Sequence, residues 1–93
     1  MDLETAIGGD RMKPGDLVEL KSEEDIVWDD LMFEWDHTLL FANREACRDM
    51  SSPTGETCEG TIGTVLECDS NYVRVLVPSS SGWSRKHYWR VIT

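Results

Sequence analysis

The sequence feature that most constrains the fold is a strict two-residue alternation in the final third of the chain. Between residues 72 and 77, valines alternate with bulkier or charged residues, which is the pattern of a β-strand with one buried face. The valines are Val73, Val75 and Val77, and the intervening residues are Tyr72, Arg74 and Leu76. A second strand is predicted over residues 61–68, and residues 69–71 are typical of a tight turn. These segments predict an antiparallel hairpin at the centre of a mainly β fold.

Further short elements are predicted on either side of this hairpin. Lys13–Asp16 reads Lys-Pro-Gly-Asp, in which proline presets φ and glycine tolerates a positive φ, so a turn is predicted there. The next residues, Leu17–Lys21, predict a strand that turns Val18 and Leu20 to one face. The elements predicted after the hairpin are a turn at 78–82, a strand at 83–87, a turn at 88–90 and a strand at 91–92.

The length of the chain bounds the number of domains. Ninety-three residues make one small domain and leave no room for a second. Residues 1–12 are predicted to be a flexible N-terminal tail, because Gly8 and Gly9 interrupt any regular element there. Residues 13–93 form the domain, with a long insertion over residues 22–59 between its first two predicted strands. A structureless insertion of that length is uncommon in a compact domain, so we expect it to contain structure of its own.

A short helix is predicted near the end of this insertion. Apolar and small side chains recur there at helical spacing, and Asp36 or Thr38 is suited to cap a helix that runs to about Met50. The residues that share this face are Leu39, Asn43, Ala46, Cys47 and Met50. A weaker helical pattern precedes it, with large apolar residues at i, i+3, i+4 and i+7. Its members are Trp28, Leu31, Met32 and Trp35. Such a stripe fits either a piece of core or a binding surface, and both interpretations stay open.

The charge of the chain is concentrated in one part of it. The sequence holds eighteen acidic and nine basic residues, a net charge of −9, with an isoelectric point near 4.5. Residues 1–60 contain sixteen acidic and five basic residues, whereas residues 61–93 contain two acidic and four basic ones. The densest stretch runs from Glu19 to Asp36, with eight acidic residues and the single base Lys21. This balance argues against binding to nucleic acid through phosphate contacts and against a polybasic membrane anchor.

The start of the chain does not indicate export, and the cysteines do not indicate a metal site. No apolar run reaches the roughly 20 residues of a membrane span, and residues 1–10 lack the apolar core of a signal peptide. The protein is therefore expected to be cytoplasmic and not secreted by a signal of its own. Cys47, Cys58 and Cys68 lie too far apart to resemble the close pairs of structural zinc sites. We expect reduced thiols, no metal and no cofactor.

The order of strands, turns and glycines resembles the SH3-like small β-barrel. The motifs that carry the resemblance are Pro14–Leu20 (PGDLVEL), Gly60–Leu66 (GTIGTVL), Val73–Val77 (VRVLV), Trp83 and Trp89–Ile92 (WRVI). The first two are similar to strands of KOW- and Tudor-type barrels, and the last resembles the ending of small SH3-like proteins encoded by bacteriophages. The resemblance covers about half of the chain. It implies a five-stranded barrel with a long acidic insertion, containing a short helix, between the first two strands.

The resemblance also bears on individual glycines and on location. Gly60 and Gly63 fit a small barrel, because such barrels bend their strands sharply and bring backbones close together. A phage-encoded protein of this kind is expected in the host cytoplasm or in the virion.

The chain lacks a recognisable catalytic constellation. His37 and His87 are its two histidines, and neither a nucleophile motif nor a glycine-rich phosphate loop accompanies them. A pair of Cys47 with His37 is conceivable on residue type alone. The serines at residues 79–81 are predicted to belong to a turn. We therefore expect no enzymatic activity and no catalytic residues.

Aromatic residues lie among the carboxylates of the insertion, and this mixture predicts a binding site. Tryptophan is enriched at the centres of protein interfaces, and aromatic faces beside carboxylates suit a partner that presents Arg or Lys. The residues predicted to contact the partner are Asp25, Trp28, Asp29, Asp30, Phe33, Glu34 and Trp35. The same residues are compatible with a solvated acidic loop whose aromatic side chains cover one end of the barrel.

Three functions are compatible with these features. The first is a non-catalytic protein-interaction module, a phage-type virion component or adaptor that binds a basic partner through the acidic, aromatic-rich loop. The second is an acidic inhibitor that blocks a basic nucleic-acid-binding surface of a host defence protein. The third is a KOW-like nucleic-acid or translation-linked module, against which the acidic balance argues. The basic residues that this third function would use are Arg74, Arg85, Lys86 and Arg90.

Overall fold

The computed structural model describes residues 12–22, 33–34 and 37–92, and these residues form an antiparallel β-sheet with one short helix. The strands of the first half are β1 (Leu17–Leu20), β2 (Phe33–Glu34), β3 (His37–Phe41) and β4 (Pro53–Cys58), and helix α1 (Arg44–Asp49) lies between β3 and β4 in the chain. The strands of the second half are β5 (Ile62–Cys68), β6 (Tyr72–Val77), β7 (Ser80–Arg85) and β8 (Trp89–Val91). A 3-10 turn, Lys86–Tyr88, connects β7 to β8. The prediction of a mainly β fold is confirmed. No helix within these ranges has the length and apolar character needed to cross a bilayer.

The strands follow one another across the sheet in the order β2-β3-β7-β6-β5-β1-β8, and β4 pairs with β3 outside this path. The predicted hairpin of β5 and β6 is confirmed, with Val65 opposite Val75 and Cys68 opposite Val73. Among the described residues no ladder joins β2 to β8, the two outermost strands of the path. The closed, five-stranded barrel expected from the family resemblance therefore stays a prediction.

The segment predicted as an insertion, residues 22–59, contains strands as well as a helix. The predicted helix is wrong in its first half, because residues 37–41 form β3 and pair with β4 along its whole length. The apolar run at residues 39–41 fits a helix or a strand equally well by its periodicity. The pairing with β4, which is distant in sequence, decides in favour of the strand.

The helix itself is short and is capped at both ends. Asn43, and neither Asp36 nor Thr38, caps its start: the side-chain oxygen of Asn43 accepts a hydrogen bond from the backbone N–H of Ala46 (2.8 Å). The helix ends at Met50 as predicted. Met50 adopts the left-handed conformation, with φ 57°, that often closes a helix.

The predicted turn before β1 is confirmed, and it fastens the chain to β5. The backbone N–H of Asp16 donates to the carbonyl of Lys13 (3.1 Å), and Gly15 has φ +96°, which glycine adopts without strain. The N–H of Gly15 donates to the carbonyl of Val65 (2.8 Å). The ammonium group of Lys13 lies 3.0 Å from the carboxylate of Asp16, and this hydrogen bond holds the pKa of Asp16 below its ordinary value of 3.8.

Two predicted boundaries near the end of the chain are displaced. The turn predicted over residues 78–82 is confined to residues 78–79, so β7 begins at Ser80. Gly82 explains the difference, because it lies where β3 approaches β7 most closely. A Cβ atom on Gly82 would lie 2.8 Å from Cβ of Leu40 and 2.9 Å from the carbonyl oxygen of Phe41. The glycine therefore permits a close approach within a strand and does not mark a turn. The last strand likewise begins earlier than predicted, at Trp89.

The core follows the predicted alternation. The three valines of β6 are buried, whereas its intervening residues are not, and Val18 and Leu20 of β1 are buried as predicted. Trp89 is the largest fully buried residue, and its indole N–H donates to the hydroxyl of Ser84 (3.1 Å), which satisfies a polar group inside the core. The buried apolar residues are Met12, Val18, Leu20, Leu40, Phe41, Cys47, Val65, Val73, Val75, Val77, Tyr88 and Trp89.

Candidate protein-interaction site

The described part of the structure contains two of the seven residues predicted to contact a partner. Phe33 and Glu34 form β2 and lie opposite Thr38 and His37 of β3. The predicted contact residues that lie outside the described residues are Asp25, Trp28, Asp29, Asp30 and Trp35. The weaker helical pattern of Trp28, Leu31, Met32 and Trp35 lies outside them too. The structure therefore shows where this region joins the sheet, and its use as a binding site stays a prediction.

We call residues 23–36 the acidic segment, because they hold seven acidic residues and no basic one. The segment begins and ends beside a single turn of the sheet. Before it, the carbonyl of Leu20 accepts a hydrogen bond from the backbone N–H of Gly60 (2.9 Å). After it, His37 lies opposite Cys58, and the N–H of Thr61 donates to the carbonyl of Cys58 (3.1 Å) within the same turn. Leu20 and His37, which lie on either side of the acidic segment in the chain, are therefore both beside the turn of residues 58–61.

Carboxylates surround this turn. Oε1 of Glu56 lies 3.2 Å from Nε2 of His37, and Oε1 of Glu19 lies 3.6 Å from Nε of Arg90. A surface depression of about 220 Å³ lies between β1, β8 and the turn. It is lined by Glu19, Leu20, Ser22, Glu59, Gly60 and Arg90. The depression therefore holds charges of both signs, since Arg90 lines it together with Glu19 and Glu59.

The net charge of the protein lies outside residues 12–22 and 37–92. Residues 12–22 and 37–92 contain eight acidic and eight basic residues, so their net charge is zero. The acidic segment contributes −7, and residues 1–11 contribute the remaining −2. These two ranges are therefore electrically balanced, and the acidic segment, which includes β2, carries most of the charge that could attract a basic partner at a distance.

Arginines and aromatic rings form a second surface, which α1 shares with β6 and β7. The guanidinium carbon of Arg85 lies 5.4 Å from the ring centroid of Tyr72, and that of Arg44 lies 6.0 Å from a ring centroid of Trp83. Such distances are those of cation–π contacts. A depression of about 230 Å³ adjoins these residues. It is lined by Arg44, Glu45, Arg48, Asp69 and Tyr72. We call this region the arginine–aromatic surface.

An ion pair joins α1 to the turn between β5 and β6. The guanidinium of Arg44 hydrogen-bonds the carboxylate of Asp69, and the backbone N–H of Ser70 donates to the other oxygen of that carboxylate (2.7 Å). The hydrogen bond from Arg44 and then that from Ser70 hold the pKa of Asp69 below its ordinary value of 3.8. The carboxylate is therefore ionised at neutral pH and holds the helix against the hairpin.

Among the four basic residues that were grouped by sequence, the structure separates Arg90 from Arg74 and Arg85. Arg85 lies on the arginine–aromatic surface, whereas Arg90 lies beside Glu19 at the base of the acidic segment. Arg74 pairs with Glu67 (2.6 Å). A phosphate group that binds Arg74 or Arg90 would have to displace a carboxylate, which weakens the case for nucleic-acid binding through these two residues.

Sequence reasoning missed the contribution of Arg44 to this surface. The alternation of β6 already places Tyr72 and Arg74 on one face, and cross-strand register then sets Tyr72 opposite Arg85 and Arg74 opposite Trp83. Arg44 reaches the same surface from α1, and the sequence carries no signal for this packing.

The three cysteines, all of which lie among the described residues, form no disulfide and differ in exposure. Cys47 is buried, Cys68 is half-buried, and the thiol of Cys68 donates to the carbonyl of Met12 (3.1 Å). Cys58 is exposed, and it is this cysteine that lies directly opposite His37 in the sheet. Within residues 12–22, 33–34 and 37–92, no three side chains of the metal-binding types lie close enough together to hold an ion.

Comparisons of the chain with protein-family models, with curated proteins and with solved structures find no match. A function for the protein is therefore argued from the charge and geometry of this chain.

Proposed function

We propose that the protein is a non-catalytic protein-interaction module whose acidic segment binds a partner with a basic surface. The observation that carries the proposal is the division of charge: residues 12–22 and 37–92 have no net charge, and the acidic segment has seven acidic residues without a base. Neighbouring carboxylates repel one another and do not promote folding, so their concentration in one segment calls for a partner that compensates them.

The residue types of the segment suit recognition of arginine and lysine. The carboxylates attract a basic surface at long range and fix its orientation. Trp28, Phe33 and Trp35 add apolar contact area and aromatic faces on which a guanidinium group stacks. The turn of residues 58–61 supports this role, because it brings the two ends of the segment together on a hydrogen-bonded scaffold.

We also propose that the scaffold is an SH3-like small barrel. Five of the strands are consecutive across the sheet in the order β7-β6-β5-β1-β8, and a 3-10 turn precedes the last of them. This order and this turn support the five-stranded arrangement. In this proposal β2, β3, β4 and α1 belong to the acidic insertion between the first two barrel strands. Closure of the barrel is the part of this proposal that an experimental structure tests.

The last motif of the sequence resembles the ending of small phage-encoded proteins, and this resemblance favours a role as a virion component or an adaptor. An acidic inhibitor that covers the nucleic-acid-binding surface of a host defence protein is the second candidate, and the same concentration of carboxylates favours it. The two differ in what they compete with. An inhibitor of this kind is displaced by DNA or RNA, whereas an adaptor is not.

The experiment that tests the proposed function is capture of the partner from a lysate of the cells in which the protein acts. Wild-type protein is compared with the variant Asp25→Asn, Asp29→Asn, Asp30→Asn and Glu34→Gln at low and high salt. We expect the wild type to retain a partner at low salt and to lose it at high salt, and we expect the variant to retain much less of it at low salt.

A matched control removes the same number of charges elsewhere. The control variant is Asp2→Asn, Glu4→Gln, Asp10→Asn and Asp49→Asn. Retention of the partner by this control, together with its loss from the segment variant, supports the proposal. Equal loss from both variants means that net charge alone drives binding and contradicts it. Addition of DNA or RNA to the captured complex then separates the inhibitor from the adaptor.

A further inference from the structure

An exposed thiol lies beside an imidazole on the solvent-facing side of β3 and β4. Cys58 of β4 is directly opposite His37 of β3, and directly opposite side chains share one face of a sheet. The Cβ atoms of such a pair are about 4.5–5.5 Å apart. Thr38 and Thr57, the next pair along the two strands, are buried. Because side chains alternate along a strand, His37 and Cys58 lie on the face that water reaches.

A carboxylate holds the imidazole in place. Glu56 precedes Cys58 by two residues, so it lies on the same face of β4, and its Oε1 lies 3.2 Å from Nε2 of His37. This contact restricts the rotation of the ring, and a carboxylate in this position compensates the positive charge that an imidazole acquires with a second proton. On the other side of β3, Glu34 occupies the position opposite His37. The sheet therefore places acidic residues, an imidazole and a thiol next to one another.

The three cysteines differ in what their thiols can do. Cys47, which residue type alone made a conceivable partner of His37, is completely buried. Cys68 is half-buried, and its thiol donates a hydrogen bond to a backbone carbonyl (3.1 Å). Cys58 is exposed and has the imidazole beside it. Thiols react as thiolates, and a neighbouring imidazole is a suitable acceptor for the thiol proton. This pair therefore fits covalent chemistry of the thiol, for which two groups suffice.

We propose that Cys58 is a modification site at which the thiol exchanges with small, positively charged disulfides. His37 takes the proton from the thiol, and the thiolate attacks one sulfur atom of the disulfide. A new S–S bond joins Cys58 to that half of the reagent, the old S–S bond breaks, and the other half leaves as a thiolate that takes the proton from the imidazole. Cys58 is thereby oxidised and the leaving half is reduced. The reaction occurs once for each protein molecule and is not catalysis.

The preference for positive charge follows from the surroundings of Cys58. Strands β2, β3 and β4 contain Glu34 and Glu56 and neither lysine nor arginine. Glu59 follows Cys58 in the chain and lines the depression beside the turn. Arg90 lines that depression too, but a carboxylate of β1 lies 3.6 Å from its guanidinium. A cationic reagent is therefore attracted to the thiol, and an anionic one is repelled.

Mass spectrometry of the intact protein, followed by peptide mapping, tests the position of the site. Cystamine is a disulfide with an ammonium group at each end, and we expect one half of it to be added to the reduced wild-type protein at Cys58. The variant Cys58→Ser loses this adduct, and the matched control Cys68→Ser retains it. An adduct at Cys68 or Cys47 in place of Cys58 overturns the proposal.

The variant His37→Gln tests whether the imidazole takes part. An ordinary thiol is only a few per cent ionised at neutral pH, so we expect this variant to react with cystamine about three- to tenfold more slowly than the wild type. At about pH 10 thiols ionise without help, and we expect equal rates. Equal rates at neutral pH contradict the proposal. A deficit that persists unchanged at about pH 10 contradicts it too, because it assigns a structural role to His37.

Three disulfides of different charge test the preference. They are cystamine, the neutral hydroxyethyl disulfide, and dithiodipropionate, which carries a carboxylate at each end. The rate of each with the protein is divided by its rate with mercaptoethanol, a small uncharged thiol. We expect cystamine to exceed dithiodipropionate by about tenfold at low salt and by less at high salt. Equal normalised rates overturn the proposal. These experiments use the protein alone, so their failure leaves the proposed partner binding of the acidic segment untouched.

Discussion

The sheet and the acidic segment use charged residues in opposite ways. Residues 12–22 and 37–92, which hold every strand except β2, contain eight acidic and eight basic residues, and ion pairs such as Arg44 with Asp69 and Arg74 with Glu67 join neighbouring elements. In the acidic segment, seven acidic residues have no basic residue among them. Folding explains the first arrangement, because paired charges and alternating valines stabilise a compact sheet. Folding does not explain the second, and this is why we propose that the segment serves recognition.

The largest expected effect is the loss of the sheet when a charge enters its core. Val75 is fully buried at the centre of β6, so Val75→Asp leaves an unpaired carboxylate in an apolar site and destabilises the fold by about 3–5 kcal/mol. Leu76→Asp is the matched control, because Leu76 is next to Val75 in the strand but its side chain is half exposed. We expect this variant to change the free energy of unfolding by no more than about 0.5 kcal/mol. Denaturant unfolding followed by circular dichroism measures both. Similar stabilities of the two variants would refute the assigned strand facing.

An intermediate effect is expected where two strands approach most closely. Gly82→Ala places a Cβ against the backbone of Phe41 and Cβ of Leu40, which move only with β3, so we expect a loss of about 1–3 kcal/mol. Gly55→Ala is the control. Its Cβ would meet the side-chain hydroxyl of Ser80, which rotates away, so we expect a smaller loss. Thermal unfolding of the two variants compares them, and an equal loss would show that β3 and β7 are less tightly packed than described.

These two positions also show how far the sequence predicts the fold. The alternation in β6 is local, so Val75 is assigned to the core from the sequence alone. The role of Gly82 depends on its packing against β3, which is distant in sequence. Local patterns do not show this packing, so the sequence predicts a turn at this glycine. The boundary between β3 and α1 is missed for a similar reason, because the run at residues 39–41 satisfies both periodicities until β4 pairs with it.

A smaller effect is expected at the ion pair of Arg44 with Asp69. The folded-state pKa of Asp69 is lowered. The stabilisation from its carboxylate is therefore complete above the unfolded-state pKa of about 3.9 and is lost as the pH falls through the lowered folded-state pKa. Arg44→Gln is expected to raise the pKa of Asp69 toward 3.8 and to leave the lowered pKa of Asp16 unchanged, since Lys13 holds the latter. Carboxyl NMR titration measures both groups. An unchanged Asp69 pKa in this variant would mean that Ser70 alone holds the carboxylate.

The candidate site is less predictable than the fold. Composition alone identifies the acidic segment, and the sequence places Phe33 and Glu34 within it. The convergence of the two ends of the segment on residues 58–61 is set by the pairing of β1 with β5 and of β3 with β4. Such pairings join residues far apart in the chain, and local patterns do not specify them.

The smallest expected effect is on the thermal unfolding midpoint when carboxylates of the acidic segment are neutralised. The central claim is that the acidic segment serves recognition and that the sheet folds without its charges. The direct test is the thermal unfolding midpoint, at low ionic strength, of the variant Asp25→Asn, Asp29→Asn, Asp30→Asn and Glu34→Gln. We predict a midpoint equal to that of the wild type or slightly higher, because removing like charges relieves repulsion. A large fall in the midpoint would show that these carboxylates hold the structure together, and it would contradict the claim.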